Sequence, residues 1–182
     1  MARVPYVERE QMDAEGQQIY DRICRDRNIS KVGLQFRTLL HNPKAAGYLT
    51  SVGAQLRFHS AIPENLKEFA IAILAREWNS DIEWTVHAEL AAKAGVSASS
   101  IEAIRTGKAQ SGLTGQEQVI ARFVQQLLRD KQLSDENFAA AEQLLGAKGV
   151  VDLVLTCGYY SAINMAQIAL KPEMEPGRKS TL

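Results

Sequence analysis

Apolar residues recur along most of this chain every three or four positions, the spacing that gathers them on one face of a helix. Strand-type alternation is nearly absent. The pattern predicts a first helix over residues 9–27, then the loop RNISKVG and a short turn over 34–40. Pro43 suits the first turn of the next helix, which runs to about Phe58 with Leu49, Val52 and Leu56 on one stripe. Pro63 opens PENLKEFAIAILAREWN, whose apolar face is Leu66, Phe69, Ala70, Ile73 and Leu74. The following helix covers 80–94, and Gly95 is placed as its left-handed stop. A short helix over 97–106 ends at Gly107, and the loop GKAQSGL leads to Thr114-Gly-Gln-Glu117, a capping box for a long helix to about Lys131. SDENFAAAEQLLG gives another, capped by Ser134 and stopped by Gly146. The last runs over 150–170, apolar nearly all round, and Pro172 closes it. The tail EMEPGRKSTL, 173–182, is polar and reads as mobile.

The pattern therefore predicts an all-α chain of about eight helices in a single domain, residues 1–182. The final helix is too apolar for a solvated surface and belongs at the centre or at a subunit interface. Composition agrees with this picture: of 182 residues, 46% are hydrophobic, enough for a real core. Lys plus Arg equals Asp plus Glu at 21 each, which gives no footprint for nucleic acid or for an anionic membrane surface. No apolar stretch reads as long enough to span a bilayer, and MARVPYVERE lacks a signal-peptide core, so the expected location is the cytoplasm. The two cysteines, Cys24 and Cys157, form no Cys-x-x-Cys and read as reduced thiols.

One stretch carries candidate chemistry. In EWNSDIEWTVH, Glu83 and His87 are four apart, share a helix face and can meet, and Trp84 beside them can shield the face from water. A carboxylate and an imidazole in reach of each other are parts for general acid–base work. The preceding helix adds Glu68, an acid inside the apolar run KEFAIAIL, with small residues Ala72 and Ala75 above it and Arg76 flanking. Arg76 offers the paired donors that a substrate carboxylate accepts. A purely structural reading competes: Ser80-Asp-Ile-Glu83 is itself a capping box, Asp81 complements the helix dipole, and the tryptophans and His87 are core residues. His41 and His59 fall near helix ends, and the serines of SASS read as a cap. No metal-ligand spacing and no phosphate-binding glycine loop occurs, so no metal or cofactor is expected.

The run PENLKEFAIAILAREWNSDIEWTVHAELAAKAG, followed by VSASSIEAI, resembles the carboxymuconolactone decarboxylase family, which has the all-helical alkylhydroperoxidase D-like fold. The likeness is best over 43–107, leaves 1–42 as an N-terminal helical extension, and is most specific at Glu83-Trp84-x-x-His87, with Glu68 where the family carries a glutamate. The peroxidase branch of that family carries Cys-x-x-Cys where this chain has Ser80 and Glu83. A serine and a glutamate cannot exchange a disulfide, which speaks against thiol peroxidase activity. The resemblance implies instead cofactor-free loss of CO2 from a small lactone or carboxylic acid in aromatic catabolism. In that reading His87, Glu83 and Glu68 are catalytic, and Arg76 and Trp84 bind substrate. The resemblance also implies a homo-oligomer, whether dimer, trimer or hexamer. The alternative is a non-catalytic helical oligomer, or one with a different substrate, that holds a small ligand in the same place.

Overall fold

The computed structural model describes residues 1–107 and 112–182, so the middle of the expected loop GKAQSGL lies outside the described residues. Those residues form eight α-helices and two short 3-10 turns, the all-helical class that the periodicity predicts. They group into two compact units: 1–59 with 165–179, and 60–164 with 180–182.

In the first unit, the helix expected over 9–27 is divided. A 3-10 turn at Arg9–Gln11 gives way to extended backbone, and α1 begins at Ala14. The Asp13 carboxylate accepts from the Gly16 amide at 2.8 Å, and such a cap starts a new helix rather than continuing an old one. α1 (Ala14–Arg27) buries Ile19, Tyr20 and Ile23 and packs on α3 (Pro43–Phe58). The close approach needs Gly47, where an added Cβ would stand 2.9 Å from the Ile19 side chain. The turn expected over 34–40 is α2 (Leu34–Arg37) followed by a 3-10 turn at Leu39–His41. The tail is more firmly held here than its polarity suggests. Glu175 accepts from the Leu34 amide at 2.7 Å, and the Glu173 amide donates to the Tyr6 hydroxyl at 2.8 Å.

The second unit is built around α4 (Glu64–Glu77), which buries every residue from Leu66 to Ala75. It packs against α5 (Asp81–Lys93), α6 (Ala98–Arg105) and α7 (Gly115–Asp130). The expected box opens α7: Thr114 accepts from the Glu117 amide at 3.3 Å, and Glu117 accepts from the Thr114 amide at 2.7 Å. Gly95 and Gly107 have the positive φ expected of helix stops, 97° and 72°. The Ser180 hydroxyl donates to Asp81 at 2.7 Å and the Thr181 amide to the Thr85 hydroxyl at 3.3 Å, so the chain end is seated on the first turn of α5.

The two helices expected on either side of Gly146 run together as α8 (Asp135–Leu170), bent where Gly146 takes φ 68°. This corrects one expectation: at 36 residues α8 is long and apolar enough, by length and composition, to cross a membrane. Its inward face nevertheless packs Leu153, Tyr159, Tyr160 and Ile163 in the protein interior, as a core helix does. Its outward face leaves Val151, Val154, Leu155, Met165 and Ile168 exposed.

Candidate active site

The end of α4 sets the direction of α5. Asn79 takes the left-handed conformation at φ 49°; its amide donates to Arg76 O at 3.0 Å and the Ser80 amide to Ala75 O at 2.9 Å. These two bonds are the Schellman pattern, and they turn the chain into α5 within three residues. The Ser80 amide, which a capping-box Glu83 would take, already donates to α4. The Ser80 side chain makes no capping bond either, so the structural reading of Ser80-Asp-Ile-Glu83 fails at the cap. Glu83 is directed elsewhere.

It is directed at His87. Glu83 Oε2 lies 3.2 Å from His87 Nε2, the meeting that their spacing of four predicts. On the other side of the ring, Glu68 Oε2 lies 2.5 Å from His87 Nδ1. Glu68, Glu83 and His87 are each 3% exposed or less. The α4–α5 hairpin thus brings together the three residues cast as catalytic, with one carboxylate on each ring nitrogen. Burial is the largest single influence on His87 and pulls its pKa down. The hydrogen bonds and charges of Glu68 and Glu83 together outweigh it, and hold the imidazole above its ordinary value.

The other two candidates stand differently. Trp84 is 1% exposed, part of the interior beside Glu83. Arg76 lies eight residues beyond Glu68, about 12 Å of helix, and is engaged by the protein. Its Nε donates to Arg105 O, the last carbonyl of α6, at 2.8 Å, and its Nη1 donates to Asn79 Oδ1 at 2.5 Å. Arg76 braces α6 against the α4–α5 turn.

Two neighbours went unnoticed in the sequence. Tyr160 of α8 meets the His87 ring edge-on, with centroids 5.1 Å apart, and meets Tyr159 the same way at 5.0 Å. Lys67, beside Glu68, is 3% exposed and pairs with Glu64 at 2.6 Å. A lysine in the middle of an apolar run was a visible signal; Tyr160 was not, because its partner lies on another helix. Neither cysteine is in a disulfide, and burial pushes the Cys157 thiol up to about 12. Burial also raises Cys24. Thiolate chemistry has no prepared group in either. Among the described residues no group of three or more His, Cys, Asp or Glu is arranged to hold a metal ion.

No protein-family model matches the chain, and no curated protein matches it in sequence. Solved structures do. A structure described as an alkylhydroperoxidase AhpD core, an uncharacterized peroxidase-related protein from Ralstonia eutropha JMP134, superimposes with a TM-score of 0.78. That match covers 96% of this chain and 93% of the other at 10% identity. The debrominase Bmp8 matches with a TM-score of 0.69, 94% and 91% coverage and 13% identity. At such identities the likeness establishes the fold: this is an all-helical protein with the alkylhydroperoxidase D-like fold.

Proposed function

We propose that the protein is a cofactor-independent carboxy-lyase that acts on a small lactone or carboxylic acid through Glu/His acid–base chemistry. One observation carries the reading: a buried imidazole held between two carboxylates, in a fold that positions all three from adjoining helices. Structural side chains rarely gather three ionisable groups in the interior, whereas acid–base sites do so to set proton affinity.

The roles are drawn from the two distances. Glu68, at 2.5 Å, fixes the ring orientation and the Nδ1 proton, so it positions rather than reacts. The looser Nε2–Glu83 edge, at 3.2 Å, is where a proton can be handed on. In the reaction, the bond between the substrate carbon and its carboxylate breaks and CO2 leaves. The electron pair flows into a conjugated lactone or acyl carbonyl, and the carbon framework then takes one proton from His87. Solvent returns that proton to the pair. The raised proton affinity of His87 suits this order, since Glu68 and Glu83 favour the protonated ring that gives the proton. Thiol peroxidase chemistry has less support here, because Ser80 and Glu83 stand at the thiol positions and both cysteines resist ionisation.

The outward apolar stripe of α8 supports self-association: Val151, Val154 and Leu155 recur at helical spacing and remain exposed. A non-catalytic ligand-binding role is favoured by one feature, the near-complete burial of His87 itself. An assay of purified protein with γ-carboxymuconolactone, tracking substrate loss and CO2 release beside His87→Gln, separates the readings. Turnover lost in the variant supports the lyase; no turnover in the parent removes this substrate and promotes the binding role.

A further inference from the structure

The inner face of α8 carries a polar stripe on which two side chains, Thr156 and Asn164, are left unsatisfied by the protein. Thr156, Tyr160 and Asn164 recur at four-residue intervals, so they lie on neighbouring turns of one side. Tyr160 is the residue that meets the His87 ring. Asn164 is 0% exposed and Thr156 1%. Among the described residues, neither the Asn164 carboxamide nitrogen nor its oxygen has a hydrogen-bond partner, and nor has the Thr156 hydroxyl. Buried amides are almost always paired, and an unpaired one demands an explanation. An apolar side chain of the same shape would serve packing better here, because it would bury no unmet donor or acceptor.

Side chains on a helix lean toward its N-terminus, so Asn164 leans toward the turn that carries Tyr160. One helical turn, about 6 Å of rise, separates the two residues. The carboxamide therefore lies one turn from the ring that touches His87. A carboxamide is also a specific reader: its nitrogen donates two hydrogen bonds and its oxygen accepts.

We infer that Asn164 reads the ligand of the His87 site, on a binding wall completed by Tyr160 and Thr156, and that the ligand carries both a carbonyl oxygen and an O–H group. The carbonyl accepts from Asn164 Nδ2, and the hydroxyl donates to Asn164 Oδ1. A small hydroxy lactone or hydroxy acid has this pair of groups; a simple lactone has only the first. The inference deepens the acid–base reading by naming the class of molecule that the site takes. Its test needs no turnover.

The probes are α-hydroxy-γ-butyrolactone and γ-butyrolactone, titrated calorimetrically into the full-length parent, Asn164→Leu and Thr156→Val. Thermal unfolding without ligand is measured alongside. The parent should bind the hydroxy lactone about tenfold tighter than the plain one, the value of one well-placed hydrogen bond. Asn164→Leu should lose about tenfold or more for the hydroxy lactone and treat the two probes alike. Its ligand-free unfolding temperature should hold or rise, because no bond within the protein is removed. If that variant does not fold, the isosteric Thr156→Val replaces it, with weakened binding and retained stability expected. Unchanged affinity in the variants would overturn the inference. So would failure of the parent to bind either probe at millimolar concentration. A fall in unfolding temperature with unchanged binding, the mark of an internal water held by Asn164, would overturn it as well. Discrimination between the probes without CO2 release from γ-carboxymuconolactone would keep this inference, remove that substrate and promote the binding role over the lyase reading. Turnover that Asn164→Leu leaves intact would do the reverse.

Discussion

His87 Nδ1 and Glu68 Oε2 lie 2.5 Å apart, with both side chains 2% exposed or less, although 19 residues separate them in the chain. The contact ties α4 to α5 and makes the imidazole part of the core. Its consequences can be measured in stability as well as in rate.

Removing either partner leaves the other buried without its hydrogen bond. Glu68→Ala should lower stability by about 3 kcal/mol, the usual loss when one member of a buried pair is deleted. Glu68→Gln keeps the shape and one hydrogen bond, and should cost about 1 kcal/mol. In the lyase reading, Glu68→Gln should also reduce kcat more than it changes KM, because Glu68 positions the ring without touching substrate. Urea unfolding beside steady-state kinetics checks both. An unchanged unfolding midpoint for Glu68→Ala would contradict the pairing.

The raised proton affinity of His87 has a definite sign in stability. The folded state holds the proton more tightly than the unfolded chain, whose imidazole titrates near pH 6.5. The stabilisation is thus fully present below about pH 6.5 and is lost as pH rises through the folded value. His87→Gln should remove that decline. Unfolding midpoints from about pH 5.5 to about pH 9 in both proteins read the difference. Ring-proton NMR should place the His87 midpoint above 6.5, and a midpoint below it would reject the argument.

Arg76 should act through structure. Its guanidinium holds Arg105 O and Asn79 Oδ1, and Arg76→Leu removes both bonds. A loss of about 1–2 kcal/mol is expected, with KM for γ-carboxymuconolactone nearly unchanged. A rise in KM of about tenfold or more with unchanged stability would instead return Arg76 to substrate binding.

The cysteines should be dispensable. Burial holds both thiols above their ordinary values, and Cys157 reaches about 12. In the lyase reading, the double variant Cys24→Ser, Cys157→Ala should keep full activity, and iodoacetamide should leave the parent's activity intact in its folded state. Inactivation at a rate that matches alkylation would revive a thiol mechanism.

Self-association through α8 is tested by charge. Leu155→Asp places a carboxylate on an apolar stripe that is already exposed, so the isolated fold should tolerate it. Light scattering after gel filtration should show the parent as an oligomer and the variant shifted toward monomer. A monomeric parent would exclude this use of the stripe.

Much of the architecture is written in short-range signals. Asn42 and Ser97 accept from amides three residues on, as cap residues do, and Gly95, Gly107 and Gly146 all take positive φ where the pattern breaks. These features act within one or two turns, so the chain order alone displays them. The Glu83–His87 pairing is legible for the same reason, since helix geometry fixes what lies four residues away.

What Glu83 does with its carboxylate was not legible. A capping box and a carboxylate–imidazole pair use the same letters, and the choice rests on where the Ser80 amide donates. Tertiary folding decides it: Asn79 closes α4 with a left-handed turn, Ala75 takes that amide, and Glu83 turns to His87. Likewise, only packing sets Glu68 against the far ring nitrogen and Tyr160 against the ring edge. Sequence by itself determined the helical class, the stops at Gly95 and Gly107 and one pair of interacting side chains, because those depend on local backbone geometry. The break at Asp13 and the joining of two helices across Gly146 came with the folded chain. The buried triad and its contact with Tyr160 of α8 depend on which helices meet, and burial across helices is a property of the folded chain alone.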